Sequence, residues 1–131
     1  MGGKVGSGFQ AVDLGAGRTA LSMTAGGAHT CAVLDTHELK CWGANDAGQL
    51  GLGDTNDRGD AAGEMGDALP VIDLGSGRTT LHVSAGRSHT CAALDDNTTR
   101  CFGLNSSGQL GVAALDNRGY QPGEMGDALP A

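Results

Sequence analysis

Short runs that alternate apolar and polar positions, separated by glycine-rich turns, dominate the chain. Thr19 to Ala25 (TALSMTA) and Thr79 to Ala85 (TTLHVSA) follow the two-residue period of a half-buried strand. That period puts Leu21 with Met23, and Leu81 with Val83, on one side. His29 to Leu34 and Leu39 to Gly43 predict two more strands around a turn at Asp35-Thr36-His37, and a last short strand is expected over Gln49 to Gly53. Gly26, Gly43, Gly48 and Gly51 punctuate these runs, where the chain needs conformations that a Cβ makes costly. Four short strands in about sixty residues make a blade-sized unit of the kind that builds sandwiches, barrels and propellers.

The pattern occurs twice. Asp13-Leu14-Gly15 returns as Asp73-Leu74-Gly75, and His29-Thr30-Cys31-Ala32 as His89-Thr90-Cys91-Ala92. Gly48-Gln49-Leu50-Gly51 returns as Gly108-Gln109-Leu110-Gly111, and GEMGDALP (63–70) is repeated unchanged at 123–130. The offset never drifts, so the chain divides into a repeat at 12–71, a second at 72–131, and a leading segment at 1–11. In that segment Gly3-Lys4-Val5-Gly6 lines up with Gly63-Glu64-Met65-Gly66, which leaves open a remnant of a preceding repeat or a simple extension.

Composition narrows this reading. With 24 glycines and 3% aromatic residues, long helices are disfavoured, because each interior glycine costs a helix about 1 kcal/mol. The glycines follow no three-residue period and there are only three prolines, which excludes collagen. Eight basic residues against fifteen acids leave a formal charge of −7, and the arginines are scattered singly. Nucleic-acid binding, which needs phosphates neutralised by clustered cations, is not expected. No stretch approaches the length of a membrane span, and residues 1–10 lack the apolar core of a signal peptide.

The cysteines flank the predicted turns, Cys31 with Cys41 and Cys91 with Cys101. A three-residue loop whose last residue is left-handed places that residue at His37 in one copy and Asn97 in the other, two types that tolerate positive φ. Leu34 then faces Glu38, and Cys31 faces Cys41. Directly opposed residues lie close enough for a disulfide to form with modest adjustment. Disulfides are the favoured reading; reduced, packed cysteines remain the alternative, and zinc is disfavoured because no pair has the short spacing of zinc ligands.

The unit resembles the repeat of the regulator of chromosome condensation family. The residues that carry the likeness are Gly26-Gly27-Ala28-His29-Thr30, then Trp42-Gly43-Ala44-Asn45-Asp46-Ala47-Gly48-Gln49-Leu50-Gly51. The second copy has Gly86-Arg87-Ser88-His89-Thr90, then Phe102-Gly103-Leu104-Asn105-Ser106-Ser107-Gly108-Gln109-Leu110-Gly111, departing only in Phe102 for Trp42. The resemblance implies an all-β fold, two four-stranded antiparallel β-propeller blades in tandem, part of a propeller of about seven blades. It also implies that His29, Trp42, Asn45, Gln49, His89, Phe102, Asn105 and Gln109 build the blades while variable loops meet partners. Paired cysteines look like the variant found in exported or surface-associated, highly repetitive members.

Catalytic chemistry is mostly absent. His29 and His89 stand beside Thr and Cys, but both copies carry the same set and neighbouring strand residues point to opposite faces. His82 has Ser22 as its counterpart and reads as a surface residue. The glycine-rich Gly15-Ala16-Gly17-Arg18 and Gly75-Ser76-Gly77-Arg78 lack the Lys-Ser/Thr of a phosphate loop and read as turns. Asp54, Asn56, Asp57 and Asp60 form an oxygen-rich loop, but calcium-loop spacing is missing and no metal or cofactor is expected. Arg58-Gly59-Asp60 has Arg118-Gly119-Tyr120 as its partner, so an adhesion tripeptide there reads as incidental. Asn97-Thr98-Thr99 and Asn105-Ser106-Ser107 match glycosylation acceptors.

The expectation is a non-catalytic propeller module for protein–protein interaction or structural assembly, extracellular or at the cell surface. Cytoplasmic placement is the reading if the cysteines are reduced. Candidate contact residues lie in the loops where the copies diverge most, Asp54 to Ala62 and Ala114 to Pro122: Asp54, Asn56, Asp57, Arg58 and Asp60, with Asp116, Asn117, Arg118 and Tyr120. Two blades cannot close a propeller, so the partners expected are further blades of a parent chain or copies of this one, beside an unidentified protein. The alternative is a guanine-nucleotide exchange factor-like propeller acting on a small GTPase. Fold alone does not choose between them.

Overall fold

The computed structural model describes residues 12–59, 63–105, 110, 117–119, 125, 126 and 129. Among these residues six strands form in two sheets: β1 (Ala20–Ala25), β2 (His29–Leu34) and β3 (Leu39–Gly43), then β4 (Thr80–Ala85), β5 (His89–Leu94) and β6 (Thr99–Gly103). Each sheet is an antiparallel meander in sequence order.

The hairpin follows the expected geometry. His37 and Asn97 have φ of 66° and 68°, and they are the non-glycine residues with positive φ among those described. His37 N donates to Leu34 O at 2.8 Å, and Leu34 N donates to Glu38 O at 2.8 Å. Hydrogen-bonded and open pairs alternate along an antiparallel ladder, so Cys31–Cys41 falls on a closely spaced open pair. Both cysteine pairs are disulfide-bonded, each with Cα atoms 4.0 Å apart.

Two expectations fail. The first is the strand over Gln49 to Gly53, which is replaced by turns. Gly48 and Gly51 adopt positive φ, and side chains take the backbone donors that a ladder would use. Ala47 N donates to Gln49 Oε1 and Leu50 N to Asn45 Oδ1. That segment is the expected fourth strand; among the described residues its place beside β3 and β6 is taken by single antiparallel bridges, Gly43 with Arg58 and Gly103 with Arg118.

The second concerns β1 and β4. A bulge after Ala20, repeated after Thr80, breaks the strict alternation. Leu81 is therefore left exposed while Val83 packs on the core, so the two do not share one environment.

The two sheets meet through β4 of the second, which lies against β2 and β1 of the first. The main core draws on both: Cys31, Val33, Leu39, Cys41 and Leu50 from the first repeat, Ala92, Leu94 and Phe102 from the second, with Ile72 and Leu74 of the connector. A second cluster, Leu14, Ala32 and Leu34 with Trp42 against it, lies on the far side of the first sheet. Buried Lys40 fastens the first connector by donating to Leu14 O and Gly66 O. Arg100 repeats this by donating to Gly126 O at 2.7 Å.

Candidate functional site

The seam between the blades holds the motif histidine. Nε2 of His29 lies 2.9 Å from Oγ1 of Thr90, whose hydroxyl donates to Gln49 O at 2.8 Å. A threonine hydroxyl has one proton, so His29 is the donor to Thr90 and carries its proton on Nε2. Nδ1 is buried without a hydrogen-bond partner. Burial pushes the His29 pKa down, the charge of nearby His89 adds to this, and a His89 backbone group opposes it. A neutral ring locked between blades has a positioning role. The neighbouring Cys31 and Cys91 offer no nucleophile, since all four cysteines are in disulfides.

Further contacts cross the seam beside this relay. Gly27 N donates to Arg87 O, Ile72 N to Leu39 O, Thr80 N to His37 O and Gly53 N to Gly119 O. Gly26 stands where a Cβ would run into Gly86 O and the His29 ring. Gly51, at φ of 67°, lies over Phe102, where a Cβ would sit 2.8 Å from the ring. Phe102 is fully buried under that glycine, whereas Trp42 is half-buried at the equivalent place.

Asn45, fully buried, organises the divergent loop. Its Nδ2 donates to Asp54 O, Asp54 Oδ1 and Asn56 O, and its own N–H donates to Asp57 Oδ1. Asp54 also receives Asn56 N–H and pairs with Arg58 at 2.9 Å. In the second repeat Asn105 N donates to Asn117 Oδ1 and Leu110 N to Asn105 Oδ1. Asp57 and Asn117 thus perform the same local task. Gln49 also spans its own turn, its Nε2 donating to Asp46 Oδ1. The loop candidates Asp54, Asn56, Asp57 and Arg58 come together, but their polar groups largely hold one another. Arg118 bridges to Gly103, as Arg58 does to Gly43. Asp60, Gln109, Asp116 and Tyr120 lie outside the described residues.

Thr90 was not singled out by the sequence reading, nor were Lys40 and Arg100. The available signal was the His-Thr pair present in both copies, but nothing local says that its two members bond across different blades.

Two profiles of the "Regulator of chromosome condensation (RCC1) repeat" match, one at residues 21–49 and 81–109, the other at 39–93. The chain belongs to the RCC1 repeat family. Among RCC1-repeat relatives, protein RCC2 homolog of Xenopus laevis is 32% identical over 104 residues, covering 79% of this chain and 17% of that protein. The ultraviolet-B receptor UVR8 of Arabidopsis thaliana is 34% identical over 94 residues, covering 71% of this chain and 19% of the receptor. In structure, yeast RCC1 (Prp20), solved with Kap60 bound, superposes with a TM-score of 0.65 at 18% identity, covering 83% of this chain and 25% of that one. Human WBSCR16 gives 0.61 at 18% identity, covering 79% and 25%. This chain spans less than a fifth of these sequence relatives and a quarter of these structures.

Proposed function

We propose that this RCC1-repeat chain is a non-catalytic propeller module for protein–protein interaction or structural assembly. The observation that carries the reading is where its chemistry-bearing side chains go. His29 is spent on the seam with Thr90, Asn45 and Gln49 on turns, and every cysteine on a hairpin disulfide. Each sheet of this RCC1-like fold corresponds to one propeller blade, its outer strand reduced to a bridge, and further blades complete the ring. The outer loop around Asp54 to Gly59 is the contact surface: its internal bonds hold exposed Thr55 and Asn56 in one shape, which lowers the ordering cost of binding.

The proposed location is extracellular or at the cell surface, because disulfides persist in oxidising compartments. Alkylation of the unreduced native-source protein should leave all cysteines unlabelled; quantitative labelling would move it to the cytoplasm. The second reading, a regulatory exchange factor for a small GTPase, draws support from RCC2 and from yeast Prp20p, a protein studied for binding to Gsp1p and histones. A nucleotide-release assay over a panel of small GTPases separates the two. No stimulation is expected, and clear acceleration would replace the first reading by the second.

A further inference from the structure

The chain carries two Asn-x-Ser/Thr triplets, Asn97-Thr98-Thr99 and Asn105-Ser106-Ser107, and the fold treats their asparagines in opposite ways. Asn105 is 0% exposed and its Oδ1 takes the Leu110 N–H at 3.0 Å, so the folded chain has no room for a sugar there. Asn97 stands exposed at the corner of the β5–β6 hairpin, with Asp95, Asp96 and Thr99 exposed around it. The corner is held by other groups. The Asn97 N–H donates to Leu94 O at 3.1 Å, and Asp96 Oδ1 takes both the N–H and the hydroxyl of Thr98. This exposure belongs to the corner and not to what stands beside the blade. His37 holds the same corner of the first hairpin, where the second blade lies alongside and Thr80 N–H donates to His37 O at 2.9 Å. His37 is exposed all the same, as are Asp35, Thr36 and Glu38. A blade packed beside Asn97 in that way would leave it in solvent too. His37-Glu38-Leu39 lacks the hydroxyl residue, so of the two corners the second alone has acceptor chemistry.

We infer that Asn97 is an acceptor of N-linked oligosaccharide. The inference rests on the extracellular placement proposed above and adds a modification to it. The donor is a lipid-pyrophosphate-linked oligosaccharide. Asn97 Nδ2 bonds to the anomeric carbon as the anomeric C–O bond breaks. Its electron pair leaves with the lipid pyrophosphate, and one amide proton passes to a base of the transferase. The Thr99 hydroxyl completes the triplet that makes the amide an acceptor. A glycan is bulky and hydrated, which suits a corner already in solvent. Its place also fits the contact surface proposed above. β3 starts at Leu39, beside the His37 corner, and ends at Gly43, which bridges to Arg58. β6 likewise runs from Thr99 to Gly103, which bridges to Arg118. Four residue steps separate those ends by about 13 Å. A glycan rooted at Asn97 therefore covers the hairpin end of the blade and leaves the loop end to a protein partner.

Intact mass of the native-source protein, taken before and after peptide-N-glycosidase and beside the cysteine alkylation, tests this. The expected result is an oligosaccharide on Asn97, released with aspartate left at that position, and none on Asn105. Secreted from a eukaryotic cell behind a cleavable export signal, the wild-type chain should carry a glycan at the same place. Thr99→Ala should lose it with an unchanged circular dichroism spectrum. Thr98→Ala, which disturbs the corner but not the acceptor triplet, should keep it. A bare Asn97 in native-source protein whose cysteines are all paired would overturn the inference and leave the location standing. Labelled cysteines with a bare Asn97 would remove both. A wild-type chain secreted without a glycan, or with one on Asn105 instead, would also overturn it.

Discussion

Cys31–Cys41 and Cys91–Cys101 close the same hairpin in the same register, yet the first pair is fully buried and the second half-exposed. Around them the residues diverge accordingly. Val33 and Leu39 beside the first pair are buried, and their counterparts Ala93 and Thr99 are half-buried and exposed. The difference lies in the company each blade keeps. A blade buries its second face only when another blade stands against it, so one motif performs as core in the first repeat and as surface in the second.

Removing the disulfides should give the largest effects and should split the two blades. Closing a hairpin of this size is worth about 3 kcal/mol in the simplest chain-entropy account. Cys91→Ser with Cys101→Ser should cost about that much in urea denaturation. Cys31→Ser with Cys41→Ser should cost about 1–3 kcal/mol more, because two hydroxyls are placed in a sealed apolar seam. Equal losses would mean that the seam is not dry.

Gly51→Ala probes the same seam from its ceiling. The added methyl meets Phe102 and Met125 at a backbone φ of 67°, so a loss of about 1–3 kcal/mol is expected. Gly17→Ala, at φ of 73° but with nothing near its Cβ, should show the backbone cost alone, and the difference between the two melts measures the contact.

Thr90→Val should lower stability by about 1–2 kcal/mol, since it leaves His29 Nε2–H and the Gln49 carbonyl buried without their shared partner. Thr30→Val should be near neutral, because among the described residues no blade covers half-buried Thr30. A comparable loss in both would show that the hydroxyls act within their own blades.

The smallest effect is a pH dependence. Burial, with the nearby charge of His89, lowers the folded pKa of His29 below its ordinary 6.5. The unfolded chain therefore takes up the proton first as pH falls. Stability from this group is complete above about pH 6.5 and declines as pH drops below that towards the folded pKa. The melting temperature should fall between pH 7.5 and 5.5 by more in wild type than in His29→Gln, with His89→Gln between them, because it keeps the burial of His29 and removes the facing charge.

Much of one blade was legible in the chain itself. The strand pairs around Asp35-Thr36-His37 and the cysteine pairing follow from interactions within about a dozen residues, where loop length fixes which residues oppose each other. The duplication and the RCC1 repeat motif were equally plain. The bulge at Leu21 and Leu81 was not, because period-two spacing reads the same with or without one extra residue until the ladder is paired. Gln49 to Gly53 resembled a strand because its apolar positions alternate. Its backbone donors were already claimed by Asn45 and Gln49 side chains, and residue type alone does not announce that claim.

What the amino-acid order determined by itself was therefore the hairpin, its left-handed corner, its covalent closure and the fact of repetition. Tertiary structure alone decided which copy of each repeated residue is buried, that His29 answers to Thr90 across the seam, and that Asp54 and Arg58 hold each other. The physical reason is that local chain geometry depends on nearest neighbours, whereas burial depends on what lies across a face, and two identical motifs can face different things.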